Sequence, residues 1–330
     1  MTHRKPNLFL IGSMKSGTTY LRKLLSAHPD IFMCEPDEPS FFVDPRDLRK
    51  LWPEMWEQGL WRNEERYLEL FRYGGDALIL GEASTNYTKL PLAPGVPERI
   101  AAFNREARFI YLMRDPVERA ISHYWHMVRH RAEHRPIAEA LRRDSRYIAV
   151  SYYAMQLRPY LERFGRDRVL PLVHERLVGD PAGVMRGVYE WLGVNAAAAD
   201  MSGFAEPENV APDVVSMPGW RGVPRRLRQA PALQSVIKWI PPAVHRTMHR
   251  LTTREVVRRA VDVSEAAAFL QNVQLRQTDE LARLIGCRFP EWTTLYGASS
   301  PPPSEAPALW ERSGKVDLGQ SSEPKSCSAC

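Results

Sequence analysis

Long apolar runs and cysteine are what this 330-residue chain has least of. No stretch approaches the roughly eighteen uncharged apolar residues that cross a bilayer, and the apolar residues 8–11 stop at Gly12, too few for a leader. Four cysteines, Cys34, Cys287, Cys327 and Cys330, cannot staple a chain of this length, which excludes a small disulfide scaffold and fits a reducing compartment. A cytoplasmic protein is the expectation. Acid is nearly absent from one segment: residues 218–259 hold ten Arg and Lys against the single Glu255, so a net charge of +6 conceals a remainder of −3. Charge concentrated in this way argues against a nucleic-acid binder, whose basic surface would be broader. What is present, 44% hydrophobic and 25% charged residues, is ordinary globular usage and enough for a sizeable core.

The first 200 residues alternate short β-rich apolar runs with amphipathic stretches. Runs at 8–11, 77–81, 108–113 and 169–173 have little polar alternation, as strands of a parallel sheet covered on both faces would. Tyr20, Leu21, Leu24 and Leu25 follow the first run at helical spacing, and Val117, Ala120, Ile121 and Tyr124 follow the third. Further helices are expected at 154–165, 182–192 and 264–286, a loop at 203–224 and a basic, partly helical insertion at 225–260. Residues 298–330, with five prolines, read as a disordered tail, leaving 1–297 as one α/β domain.

The first strand-to-helix junction reads Gly12-Ser-Met-Lys15-Ser16-Gly17-Thr18-Thr19. Such a turn aims free amides and a positive helix end at one point, and glycine lets the backbone approach a phosphate closely. The spacing is that of a Walker loop, but Thr18 stands where the lysine belongs and the lysine comes earlier, at Lys15. Anion binding survives that change, while nucleoside-triphosphate hydrolysis becomes a poorer fit. At the second junction the strand 108–113 ends in Arg114, with Ser122 eight residues on, about two helical turns away. The pair could share a second phosphate, or Arg114 could be a structural ion-pair partner of Asp115 or Glu118.

Lys15-Ser-Gly-Thr-Thr19 with Arg114-Asp-Pro-Val-Glu-Arg-Ala-Ile-Ser122-His-Tyr124 resembles the paired phosphate motifs of sulfotransferases that use 3′-phosphoadenosine 5′-phosphosulfate. Glu35-Pro-Asp-Glu38-Pro-Ser-Phe-Phe42 is similar to an acceptor-side stretch of the heparan-sulfate branch, and the resemblance covers most of 7–200 and 264–297. It implies a P-loop NTPase-like parallel sheet flanked by helices and metal-free transfer of a sulfuryl group to a hydroxyl or amine of a carbohydrate or small-molecule acceptor. In that scheme Ser16, Gly17, Thr18, Thr19 and the loop amides hold the 5′-phosphate, Lys15 neutralises the leaving group, Arg114 and Ser122 read the 3′-phosphate, and Glu38 is the base. Glu35, Glu82, His28 and His123 compete with Glu38 for that role. Position 83 departs from the branch, which often has lysine there in Glu-Lys-Thr-Pro; Ala83 and Asn86 stand here instead, so either the acceptor pocket or the second catalytic cation must differ.

Trp52, Trp56 and Trp61 could wall an acceptor pocket or be core. Segment 218–259 could be a solvated basic face, a flap bringing Arg221 or Arg225 and Arg226 to the donor, or a peripheral membrane contact. Two other classes fit parts of the pattern: a P-loop nucleotide kinase, which the missing lysine disfavours, and a non-enzymatic phosphate- or membrane-surface module.

Overall fold

Five short apolar segments pair in parallel into one sheet in a computed structural model that describes residues 4–130, 133–200, 213–218 and 253–297. They are β1 (Leu8–Gly12), β2 (Ile31–Met33), β3 (Ile79–Ala83), β4 (Arg108–Met113) and β5 (Val169–Val173), in the order β2-β3-β1-β4-β5. Helices α1 (Thr18–Ser26), α2 (Val96–Phe103), α3 (Pro116–Arg129), α4 (Tyr153–Phe164), α5 (Pro181–Leu192) and α6 (Ser264–Ile285) cover both faces. Because strand side chains alternate, Phe9 and Ile11 enter the core beneath α2, α3, α4 and α6, while Leu8 and Leu10 enter the one beneath α1 and α5. That double burial is why β1 and β4 read as unbroken apolar runs.

Topology places the site. From β1 the chain runs outward to β2 and back through β3, then crosses to β4 on the other side of β1, so strand order reverses between β1 and β4. The carboxyl ends of two strands at such a switch point leave a crevice, and both phosphate motifs lie at those ends.

Three sequence expectations need correction. The second strand runs 79–83 rather than 77–81, because Gly81 does not break it: a Cβ there would fall 2.4 Å from Met33 Sδ, so glycine is the close-packing residue between β3 and β2. β2 went unread; three residues carry too little pattern. The third correction concerns the flanks of the basic segment, expected to be loop and helix, where β6 (Val214–Pro218) and β7 (Thr253–Val257) form an antiparallel ribbon with β6 against α3. Residues 219–252, including Arg221, Arg225 and Arg226, and the tail 298–330 lie outside the described residues.

Candidate functional site

The turn between β1 and α1 is built by close contacts that only glycine permits. Gly12 has φ 141°, and a Cβ on it would lie 2.3 Å from Thr88 Oγ1; Gly17 has φ 93°, and a Cβ there would lie 2.7 Å from His174 Nδ1. Ser13 N donates to Leu112 O at 2.8 Å, and the buried hydroxyls of Ser13 and Ser16 meet at 2.6 Å, so the turn is fastened to β4 and to itself. Left-handed Lys15 (φ 70°) and Gly17 curl the chain, and the helical ladder begins only with Leu21 N donating to Gly17 O at 3.1 Å. No side chain caps α1. The amides of Gly17, Thr18 and Thr19 therefore precede the ladder at the positive end of the helix, with Thr18 half-buried and Thr19 exposed.

Cations converge on this turn. Lys15 is pulled below the ordinary lysine range by burial first, and then by the charges of Arg129, Arg114, Arg258 and Arg119. Among the described residues no carboxylate is paired with Lys15, Arg119 or Arg129. Arg119 is fully buried; Nε donates to Ser151 Oγ at 2.5 Å, and the guanidinium also reaches Tyr147 O and, at 3.4 Å, Met14 O in the turn. Burial pulls it down to about 10. Arg114 is partly engaged: Nη2 lies 3.3 Å from Glu118 Oε2, the ion pair foreseen as its structural alternative, yet its charge still reaches Lys15 and His174. Asp115 does not pair with it. Its carboxylate caps α3, accepting from Val117 N at 2.9 Å and Glu118 N at 3.3 Å, and takes Leu295 N at 2.9 Å. Ser122 is half-buried on α3, and among the described residues Arg114 makes its side-chain bond to Glu118 rather than to Ser122. The ribbon contributes Arg258, just past β7, whose guanidinium lies over Trp125 and whose charge acts on Lys15.

Histidines around the turn are neutral. Burial pushes His174 down to about 4, helped by Arg114, and His126 down to about 3, helped by Lys15. His123, buried with Nδ1 unpartnered, is driven far below its usual range by burial and by Arg119. At the helical spacing i, i+4, i+7, residues 119, 123 and 126 face the site together.

Across from the turn stands Glu38. Its backbone is left-handed (φ 58°) and its N donates to Ala83 O at 2.9 Å, while Arg22 holds the preceding loop through Cys34 O at 2.8 Å and Asp37 at 2.8 Å. Glu38 Oε1 accepts from Thr85 Oγ1 at 2.6 Å, whereas Oε2 is buried with no partner. Burial raises its pKa; the Thr85 hydrogen bonds and Lys89 oppose the rise. Asn86, one of the departures from the branch pattern, donates to Ser40 Oγ at 3.1 Å and so braces the loop that carries Glu38.

The competitors separate on geometry. His28 uses both ring nitrogens structurally, with Nε2 2.9 Å from Asn195 O and Nδ1 accepting from Asp30 N at 3.0 Å. Glu35 is exposed and 3.5 Å from Arg22. Glu82 is wholly buried in β3 beside the hydroxyls of Tyr87 and Tyr67, and burial lifts it to about 8, leaving it protonated at neutral pH. Trp56 and Trp61 stack at 3.8 Å and, with Trp52, are half-buried against the core, the blander of their two readings. Sequence reasoning overlooked Arg119, Arg258, His126 and Lys89. Arg119 stood within the quoted Arg114 motif, and a basic residue on the buried face of an amphipathic helix was the available signal.

Comparisons with known proteins bear on the fold and the family. A model described as "Sulfotransferase family" matches residues 6–198. The chain is 31% identical over 206 residues to mouse heparan sulfate glucosamine 3-O-sulfotransferase 3A1, covering 59% of this chain and 47% of that protein. It is 28% identical over 213 residues to the bifunctional heparan sulfate N-deacetylase/N-sulfotransferase 1 of Xenopus laevis, covering 59% and 23% respectively. It thus spans about half the length, or less, of these curated relatives. A sulfotransferase crystal structure from Alicyclobacillus acidocaldarius shares the fold, with TM-score 0.61 and 24% identity over 88% of this chain and 99% of that one. With the phosphate turn, the second arginine junction and the sheet order all in place, the chain belongs to the sulfotransferase family.

Proposed function

We propose that this protein transfers a sulfuryl group from 3′-phosphoadenosine 5′-phosphosulfate to a hydroxyl or amine of a carbohydrate or small-molecule acceptor, residues 1–297 acting as one catalytic unit. The carrying observation is the surplus of cations around Lys15 at an uncapped helix N-terminus. A donor with a 5′-phosphosulfate and a 3′-phosphate supplies the missing negative charge at two points. The amides of Gly17, Thr18 and Thr19, with the hydroxyls of Ser16, Thr18 and Thr19, hold the 5′-phosphate. Arg114 and Ser122 take the 3′-phosphate, with Arg258 beside them and Arg221 as a flap candidate.

Chemistry follows from charge. As the acceptor oxygen or nitrogen bonds to sulfur, the bond from sulfur to the bridging oxygen breaks, and its electron pair leaves on the 5′-phosphate, where Lys15 neutralises it. The acceptor proton goes to Glu38, whose raised pKa makes it a stronger base than an exposed glutamate. No step calls on a metal. The names of the curated relatives, a heparan sulfate glucosamine 3-O-sulfotransferase and a heparan sulfate N-deacetylase/N-sulfotransferase, support a carbohydrate acceptor.

The test is transfer of labelled sulfuryl from the donor to heparan sulfate. Wild type should transfer, and Glu38→Gln should bind adenosine 3′,5′-bisphosphate normally yet lose transfer by about a hundredfold or more. Full activity in Glu38→Gln would reject the base, and a wild type inert with donor would reject the function.

A further inference from the structure

The site buries one more lysine than the scheme above uses. Lys89 ends the 3-10 turn Thr85–Thr88 that follows β3, and it is 5% exposed. Its Nζ lies 2.8 Å from Met14 Sδ, and among the described residues it has no carboxylate partner and no oxygen acceptor. A thioether is a weak acceptor, so this ammonium is buried without a partner to match its lost hydration. Its placement is nonetheless fixed from three sides. Thr88 Oγ1 donates to Ile11 O at 2.6 Å in β1, and Tyr160 OH donates to Tyr87 O at 2.9 Å. The Gln156 side chain of α4 pairs with both Leu90 N and Leu90 O at 2.9 Å. Met14 is a residue of the phosphate turn, and the charge of Lys89 acts on Glu38, so Lys89 stands between donor turn and base. With alanine at position 83, β3 supplies no cation there.

We propose that Lys89 is a catalytic cation of this site, meeting the oxygens of the transferring sulfuryl group from the Glu38 side while Lys15 acts on the leaving group. This rests on the donor-and-base reading above. An ionised Glu38 facing an anionic sulfuryl group is repelled by it; an ammonium between them removes that repulsion and offsets charge on the sulfuryl oxygens as the acceptor attacks. Lys89 exchanges no proton: the acceptor proton still passes to Glu38, and the electron pair of the broken bond still leaves on the 5′-phosphate oxygen.

The groups facing Lys89 are Glu38 from the loop after β2, Arg119, His123 and His126 from α3, and Met14 from the turn. Burial, then the Arg119 charge, outweigh Glu38 and bring Lys89 from 10.5 down to about 7. The ammonium is complete below that value and lost as pH rises through it in the unliganded protein. The alkaline limb of kcat/KM should therefore belong to Lys89.

The experiment compares wild type, Lys89→Met and Lys89→Arg in sulfuryl transfer to heparan sulfate from about pH 5.5 to about pH 9, with bisphosphate affinity by calorimetry and thermal melting as controls. Lys89→Met, which keeps length and removes charge, should lose about a hundredfold in kcat, the scale of one transition-state electrostatic donor. It should still bind bisphosphate and should melt higher than wild type, because an unmatched buried charge is gone. Lys89→Arg should recover part of kcat and move the alkaline limb upward. Wild-type kcat with an unmoved limb in Lys89→Met would overturn the proposal, as would loss of its bisphosphate binding, which would make the lysine a structural prop. A wild type that binds bisphosphate but never transfers sulfuryl would instead defeat the underlying function.

Discussion

Two lysines in the site are held below their ordinary pKa by burial and by neighbouring arginines, and each is free of any described carboxylate partner. For Lys89, the drop to about 7 is a cost on the order of 5 kcal/mol while the group remains charged. The unfolded chain holds that proton up to about pH 10.5, so stability contributed through this group is lowest below pH 7 and recovers between those values. A bound anion would reverse the sign for both lysines, raising each pKa. At Lys15, replacement by alanine removes charge from the leaving group while leaving the amides of Gly17, Thr18 and Thr19 in place. Turnover should fall roughly a hundredfold or more while bisphosphate affinity changes far less, as steady-state kinetics and calorimetry would show. Equal losses in both would make Lys15 a ground-state binding residue. At this scale the sequence showed which residue types stand in the candidate site but not their pairing: Lys15, Arg114 and Glu38 stand in motifs, whereas nothing local marks Lys89 as buried or places it 2.8 Å from Met14 Sδ.

Elements decide where those side chains point. Helix α3 carries Ser122 on one flank and Arg119, His123 and His126 toward the turn, and its start is set by Asp115. The same carboxylate also holds Leu295 N, tying the residues after α6 to the start of α3. Asp115→Ala should therefore cost more than an ordinary cap: about 1–2 kcal/mol for the cap itself, and about 1–3 kcal/mol more for the orphaned, buried amide of Leu295. Chemical denaturation reads the sum, and a change within 0.5 kcal/mol, roughly that of a neutral surface substitution, would show that the bonds to Asp115 are replaceable. Legibility at this scale followed periodicity. Residues 8–12 and 108–113 with their helices were readable because both faces of the strands are buried. β6 and β7 were not, since Val214 pairs with Val257 across a long intervening segment and neither strand has a local partner in sequence. The sequence did not separate Glu82 from Glu38 for a related reason: a carboxyl in a strand gives no sign from sequence that it is wholly buried against two tyrosines.

For the whole molecule, the switch between β1 and β4 gathers residues distant in sequence: Lys15, Glu38, Lys89, Arg114 and Arg258 come from five separate connections. One sheet supplies rigidity, and its carboxyl-end crevice supplies the concavity. The ribbon lies on α3 and brings the charge of Arg258 to bear on Arg114. The central claim, that this surplus charge is built for a nucleotide with phosphates at both the 5′ and 3′ positions, is most directly tested by calorimetric titration with adenosine 3′,5′-bisphosphate and with ADP. The account predicts that wild type binds the bisphosphate at least about tenfold more tightly, and that Arg114→Ala erases the preference with little effect on ADP, a charged hydrogen bond being worth about 1.5–3 kcal/mol. Equal affinity for the two nucleotides, unchanged by Arg114→Ala, would contradict it.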